Sequence, residues 1–130
     1  MSKQFTLGKN ERLKSRKLIE QLFSEGKKFV IFPFRVLYII DKKGNGLLQF
    51  GAGVSSKFFK KAADRNRVKR VMRESYRLQK KSLQEKLKEQ DYQLNIFIIY
   101  TSKVLPEYKE MYTTMGIVLD KFCTMLIEKK

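Results

Sequence analysis

Histidine and tryptophan are absent from this chain of 130 residues, cysteine occurs once and proline twice, and 13 acidic residues face 29 basic ones. Each shortage removes a class of function. Without histidine, the commonest general base, metal ligand and catalytic-triad member is missing. Carboxylates do not take its place: Asp64 and Glu74 stand ten positions apart, and QEKLKEQD at 84–91 reads as a solvated helix end rather than a two-metal site. An autonomous metal-dependent nuclease is therefore disfavoured. Gly44, Gly46, Gly51 and Gly53 match no phosphate-loop spacing, which leaves nucleotide hydrolysis unsupported. Cys123 has no partner for an internal disulfide, and its setting in DKFCTMLIEKK suits a small buried hydrophobe in a reducing compartment. No apolar run approaches the roughly 20 residues that span a bilayer, and MSKQFTLGKNERLKSRK at the start has no apolar signal core. No membrane association is expected, and a cytoplasmic location is.

What the chain has in excess is positive charge, +16 at pH 7. Such a surplus repels itself in an isolated fold, and an anionic partner is the natural means of neutralising it. With 42% hydrophobic residues the chain can close one core, so residues 1–130 are expected to form a single domain.

Along the chain, RLKSRKLIEQLFSE at 12–25 sets Leu18, Ile19, Leu22 and Phe23 at helical spacing, with Gly26 at the C-terminal cap. KFVIFPFRVLYIID predicts a strand that is interrupted, or lies at a sheet edge, at Pro33. DKKGNG at 41–46 is a turn by composition, and LLQFGAGVSS returns as a second strand, predicting a hairpin of the two. Gly51 and Gly53 in that strand permit close backbone approach. A helix is expected from about Ala62 to Gln79, with a break before SLQEKLKEQ, followed by YQLNIFIIY as a central strand. The last helix begins near Pro106 and carries Met111, Met115, Val118, Leu119, Phe122 and Leu126 on one core-facing stripe. The order αββαβα makes an α+β sandwich, with helices packed on a small mixed sheet.

The helix after Asp64 separates into two faces on a helical wheel. Val68, Val71, Met72 and Ser75 share one; Asn66, Lys69, Arg70, Arg73, Arg77 and Lys80 share the other, flanked by Arg65 and Arg67. Glu74, at the border, is the only acid between Arg65 and Lys81. Glu–Lys pairs that stabilise exposed helices are thus scarce, and like charges meet at Lys69/Arg73 and Arg73/Arg77. A face that costs stability when bare points to a ligand. Phosphate suits it, because guanidinium forks bind its oxygens bidentately, and the Asn66 amide adds a donor and an acceptor for ribose or base edges. Lys57, Lys60 and Lys61 extend this surface ahead of the helix, and Asp64 is expected to be its N-cap.

At KKAADRNRVKRVMRESYR the sequence resembles the protein subunit of bacterial ribonuclease P, whose hallmark is an R-N-R-x-x-K/R-like helix. Here that hallmark reads Arg65-Asn66-Arg67-Val68-Lys69-Arg70, and FTLGKNERL, LIEQLFSEG, FRVLYIID, GVSSKFFKKA and DYQLNIFIIY extend the resemblance over most of the chain. The resemblance implies a protein that does not itself cut RNA. A catalytic RNA, using Mg²⁺ that it mainly binds itself, would remove the 5′ leader of precursor tRNA, with one protein per RNA. Arg65, Asn66, Arg67, Lys69 and Arg70 would face the catalytic RNA. The leader would lie between the first helix and the sheet, against Phe23, Phe34 and Tyr38, with Ile19 standing where the family often has an aromatic one turn before Phe23. The family's βαβ crossover is left-handed, against the usual rule. The competing reading is a structural RNA-binding protein of ribosomal-protein type, with the fold and charge but no leader cleft.

Overall fold

A computed structural model describes residues 12, 13, 15–42 and 46–128, with side chains through Leu126. Part of the FTLGKNERL segment and the middle of the DKKGNG turn lie outside the described residues. The elements in order are α1 (Arg16–Glu25), β1 (Lys27–Ile31), β2 (Phe34–Asp41), β3 (Leu48–Val54), α2 (Ala62–Arg77), α3 (Lys81–Gln90), β4 (Gln93–Tyr100) and α4 (Tyr108–Glu128).

The architecture is α+β, with a mixed four-stranded sheet in the order β1-β2-β4-β3. The expected first strand is two. Phe32 and Pro33 form a turn through a cis peptide bond, and β1 folds back antiparallel on β2 with Ile31 opposite Phe34. This corrects the expected hairpin: β2 pairs with β1 and β4, whereas β3 pairs in parallel with β4 alone. The turn after β2 therefore carries the chain across the sheet, and α2 and α3 form the crossover between the parallel strands. β4 is central, as its apolar run requires when both faces of a strand are covered.

Alternation along the strands divides the sheet into two faces. Phe34, Val36 and Tyr38 of β2, Leu48 and Phe50 of β3, and Leu94, Ile96, Ile98 and Tyr100 of β4 point to the larger core. It is closed by Val68, Met72 and Tyr76 of α2, Leu83 and Leu87 of α3, and the whole expected stripe of α4. Phe50 and Tyr76 stack at 3.9 Å between centroids, and Tyr38 meets Phe122 edge-on at 5.0 Å. The opposite face carries a smaller cluster of Leu37 with Leu13 and Leu22, flanked by Leu18, Ile19, Ile39, Phe97 and Ile99. Among the described residues, α1 and the short segment at Leu13 cover this second face.

Local chemistry sets the ends of the helices. Ser15 caps α1 by accepting from the Leu18 N–H at 3.3 Å. Gly26 ends α1 in extended backbone, and a Cβ there would collide with the Leu22 carbonyl that its own N–H bonds. Asp64 is not the N-cap of α2. Lys61 holds that position without a side-chain hydrogen bond, and Asp64 lies in the first turn, where its charge suits the helix dipole. Lys80, expected on the cationic face, is 1% exposed at the junction of α2 and α3, because the helix ends at Arg77 and the wheel does not continue to it.

Candidate nucleic-acid interface

The core-facing side of α2 holds Val68, Met72, Ser75 and Tyr76, so its outer side is set by elimination. Asn66, Arg67, Arg70 and Arg73 are exposed there, and Lys69 is half-buried beside them. Among the described residues, no carboxylate lies within ion-pair distance of Arg67, Lys69, Arg70 or Arg73; the ion pair on this helix joins Arg77 to Glu74. Lys57, Lys60 and Lys61 are exposed in the preceding loop. The expected cationic surface is thus assembled on one side of one helix.

Arg65 differs from its neighbours. Its Nη1 donates to the carbonyls of Phe59 and Lys60, each at 2.8 Å, so the side chain folds back to hold the loop before α2. That loop buries Phe59 to 6% exposure against Tyr100. Arg65 thereby anchors the lysine-bearing segment to the helix.

The four residues expected to line a cleft under α1 are not brought together. Ile19 and Phe23 are on α1, facing the second side of the sheet, but Phe34 and Tyr38 point to the other side. Phe34 is fully buried and edge-on to Tyr100, and Tyr38 is 8% exposed against Phe29 and Phe122. Alternation is the reason: Phe34 and Tyr38 share the parity of Val36, whereas Leu37 faces α1.

The ring that does face α1 is Phe97, which sequence reasoning missed. Its centroid is 5.8 Å from that of Phe23, which is 47% exposed. Phe97 lies flat across β3: a Cβ on Gly51 would stand 2.8 Å from its Cδ1, and one on Gly53 2.9 Å from its Cζ. The space left by those two glycines is taken by this side chain, not by the backbone approach expected there. A glycine pair spaced i, i+2 beside an apolar strand was the available signal. Around the ring opens a groove of about 390 Å³, lined by Arg12, Leu13, Ile19, Gly51, Phe97 and, from α2, Arg73. Arg12 is held at its rim because the segment before α1 pairs with β3, the Leu13 N–H donating to the Phe50 carbonyl at 3.0 Å. Arg73 therefore belongs to both the cationic helix and the aromatic groove.

Among the described residues no group of three or more Cys, Asp and Glu side chains is placed to hold a metal ion. Nor is any described helix long and apolar enough to cross a membrane.

Fold and surface define a basic α+β domain, with a helix whose cations Arg67, Lys69, Arg70 and Arg73 meet no described carboxylate, beside an aromatic groove. Comparison with known proteins agrees. The family model Ribonuclease P matches residues 7–122. The ribonuclease P protein component of Porphyromonas gingivalis is 38% identical over 112 residues, covering 85% of this chain and 82% of that protein. The ribonuclease P protein of Staphylococcus aureus superposes with a TM-score of 0.68 at 20% identity, over 87% of this chain and 95% of that one. That of Thermotoga maritima gives 0.65 at 25% identity, over 85% and 96%. The chain belongs to the ribonuclease P protein family, the protein components of a tRNA-processing ribonucleoprotein.

Proposed function

We propose that this protein binds the catalytic RNA of ribonuclease P through the outer side of α2 and holds the 5′ leader of precursor tRNA in the groove between α1 and the sheet. The observation that carries the reading is the run of exposed or half-exposed cations Arg67, Lys69, Arg70 and Arg73, unmatched by described acids and continuous at Arg73 with the groove around Phe97. Cations aligned on one helix side suit the regular phosphate spacing of a folded RNA. Lys57, Lys60 and Lys61 continue that surface, while Arg65 positions them and Asn66 offers hydrogen bonds to ribose or base.

Phe97 in the groove and Phe23 beside it provide rings on which successive bases of a single strand stack, with Arg12 and Arg73 lining the groove for its phosphates. Ile19 adds an apolar wall. Phe34 and Tyr38 shape the sheet from behind and take no part in this contact. Hydrolysis of the leader phosphodiester belongs to the RNA in this reading, and Mg²⁺ is held mainly by RNA ligands. One protein per RNA, acting in the cytoplasm, completes the reading.

Reconstitution tests it. The protein alone should leave precursor tRNA intact, and with its cognate RNA it should lower the Mg²⁺ needed for cleavage and favour precursor over mature tRNA. An unchanged Mg²⁺ requirement together with equal affinity for both tRNAs would sink the proposal and favour a purely structural RNA binder.

A further inference from the structure

The groove borders α2 on its Arg73 side. On the other side the helix meets α4, where two large rings stand in the open: Tyr108 is 42% and Tyr112 38% exposed. Their centroids are 6.0 Å apart with the planes tilted by 46°. They are fixed to α2 rather than merely near it. Gln79 donates from Nε2 both to the Ser75 carbonyl and to the Tyr112 carbonyl, each at 2.9 Å, clamping the first turns of α4 to the end of α2. Gly116 makes room for this clamp, since a Cβ there would stand 2.7 Å from Gln79 Oε1. The Tyr108 phenol is close enough to feel Glu74 and Arg77; burial first, and Glu74 next, push its pKa up, while Arg77 pulls the other way. Glu74 in turn holds the Arg77 guanidinium at this border.

We propose that Tyr108 and Tyr112, with Arg77, form a second stacking site, which takes unpaired nucleotides of the catalytic RNA that docks on α2. The inference rests on the function proposed above and extends its surface across a second border of the helix. Two arguments select RNA. The pair adjoins Arg77 at the border of α2, so a chain whose phosphates run along that helix passes beside the rings. Exposed phenols next to guanidinium groups also match what unpaired bases require, a π-face for the base and a cation for the adjoining phosphate. Single-stranded leader is a different occupant, reached through the groove on the Arg73 side.

The test uses full-length protein and its cognate catalytic RNA. Replacing both rings, Tyr108→Ala with Tyr112→Ala, should weaken binding about tenfold without altering the salt dependence or the preference for precursor over mature tRNA. Tyr108→Phe with Tyr112→Phe should restore affinity, because the stacking face survives. The chain has no tryptophan, so Tyr112→Trp places a single indole at the site, and its emission should be quenched on adding the RNA. Wild-type affinity in the double alanine variant, with unquenched indole, would overturn the inference while Arg70→Ala still weakened binding. Absence of RNA binding by the wild type would overturn this inference and the proposed function together.

Discussion

The two faces of the sheet are made from the same strands yet are finished differently. Toward α2, α3 and α4, the inward side chains of β2 and β4 join one core with residues of all three helices, and Phe34, Val36, Ile96 and Ile98 are fully buried. Toward α1 the described cover is one ten-residue helix and the segment at Leu13, glycines replace side chains on β3, and Phe97 is only half-buried. A closed face stabilises; an incompletely closed one leaves aromatic surface for something else to cover. The comparison is sharpest at aromatic residues, since the same ring chemistry serves packing on one side and accessibility on the other.

The largest expected effect tests the closed side. Phe34→Ala should lower unfolding free energy by about 3–5 kcal/mol, as expected for a fully buried ring whose site cannot collapse, and denaturant titration would read it. RNA and leader affinities of the fraction that remains folded should not move. A specific loss of leader affinity at wild-type stability would mean that the faces had been assigned the wrong way round.

Next comes the open side. Phe97→Ala should weaken binding of precursor tRNA relative to mature tRNA by about 1–3 kcal/mol, the range for one base–aromatic stack, and should destabilise the protein less than Phe34→Ala. Tyr38→Ala should behave as Phe34→Ala does, with loss of stability and no selective loss of leader, because Tyr38 packs against Phe122. If Tyr38 and Phe97 variants lost the leader equally at unchanged stability, the distinction between the faces would not hold.

These corrections mark what was legible in the sequence. Helical periodicity separated Val68 and Met72 from Asn66, Arg67 and Arg70, and it gave the full buried stripe of α4, because a helix sorts its residues by local geometry alone. Strand parity was equally readable and would have put Phe34 and Tyr38 opposite Leu37. What could not be read locally was partnership. Pro33 marked an interruption in the run from Lys27 to Asp41, but nothing local says that β1 folds back on β2, or that β3 passes by β2 to pair with β4. Non-local pairing also decides that Phe97, rather than a β2 side chain, fills the space above Gly51 and Gly53. Lys80 and Arg65 fail differently: a wheel assumes a continuous helix and extended side chains, and the chain bends at the first and folds back at the second.

A smaller effect separates cations along α2. Arg67→Ala or Arg70→Ala should weaken binding to the catalytic RNA and make the slope of log affinity against log salt shallower by nearly one unit per lost phosphate contact. Stability should hold or rise slightly, since each substitution relieves repulsion between like charges on an exposed helix face. An unchanged slope would remove those residues from the phosphate-binding surface.

The smallest expected change in salt dependence is at Arg65, although it opens the family hallmark. Its Nη1 is committed to the Phe59 and Lys60 carbonyls, so Arg65→Ala releases the loop that carries Lys57, Lys60 and Lys61. The predicted cost is about 1 kcal/mol of stability, the loss of charge-assisted hydrogen bonds in a half-exposed setting. The salt slope should shift by less than half the change seen for Arg70→Ala, because a guanidinium folded onto backbone carbonyls offers fewer donors to phosphate. Arg65→Lys separates the two contributions: an ammonium on a shorter stem keeps the charge but not the planar guanidinium whose Nη1 reaches both carbonyls, so it should restore the slope and not the stability. Equal slopes for the Arg65 and Arg70 alanine variants would place Arg65 on the RNA after all, with its backbone contacts surrendered on binding.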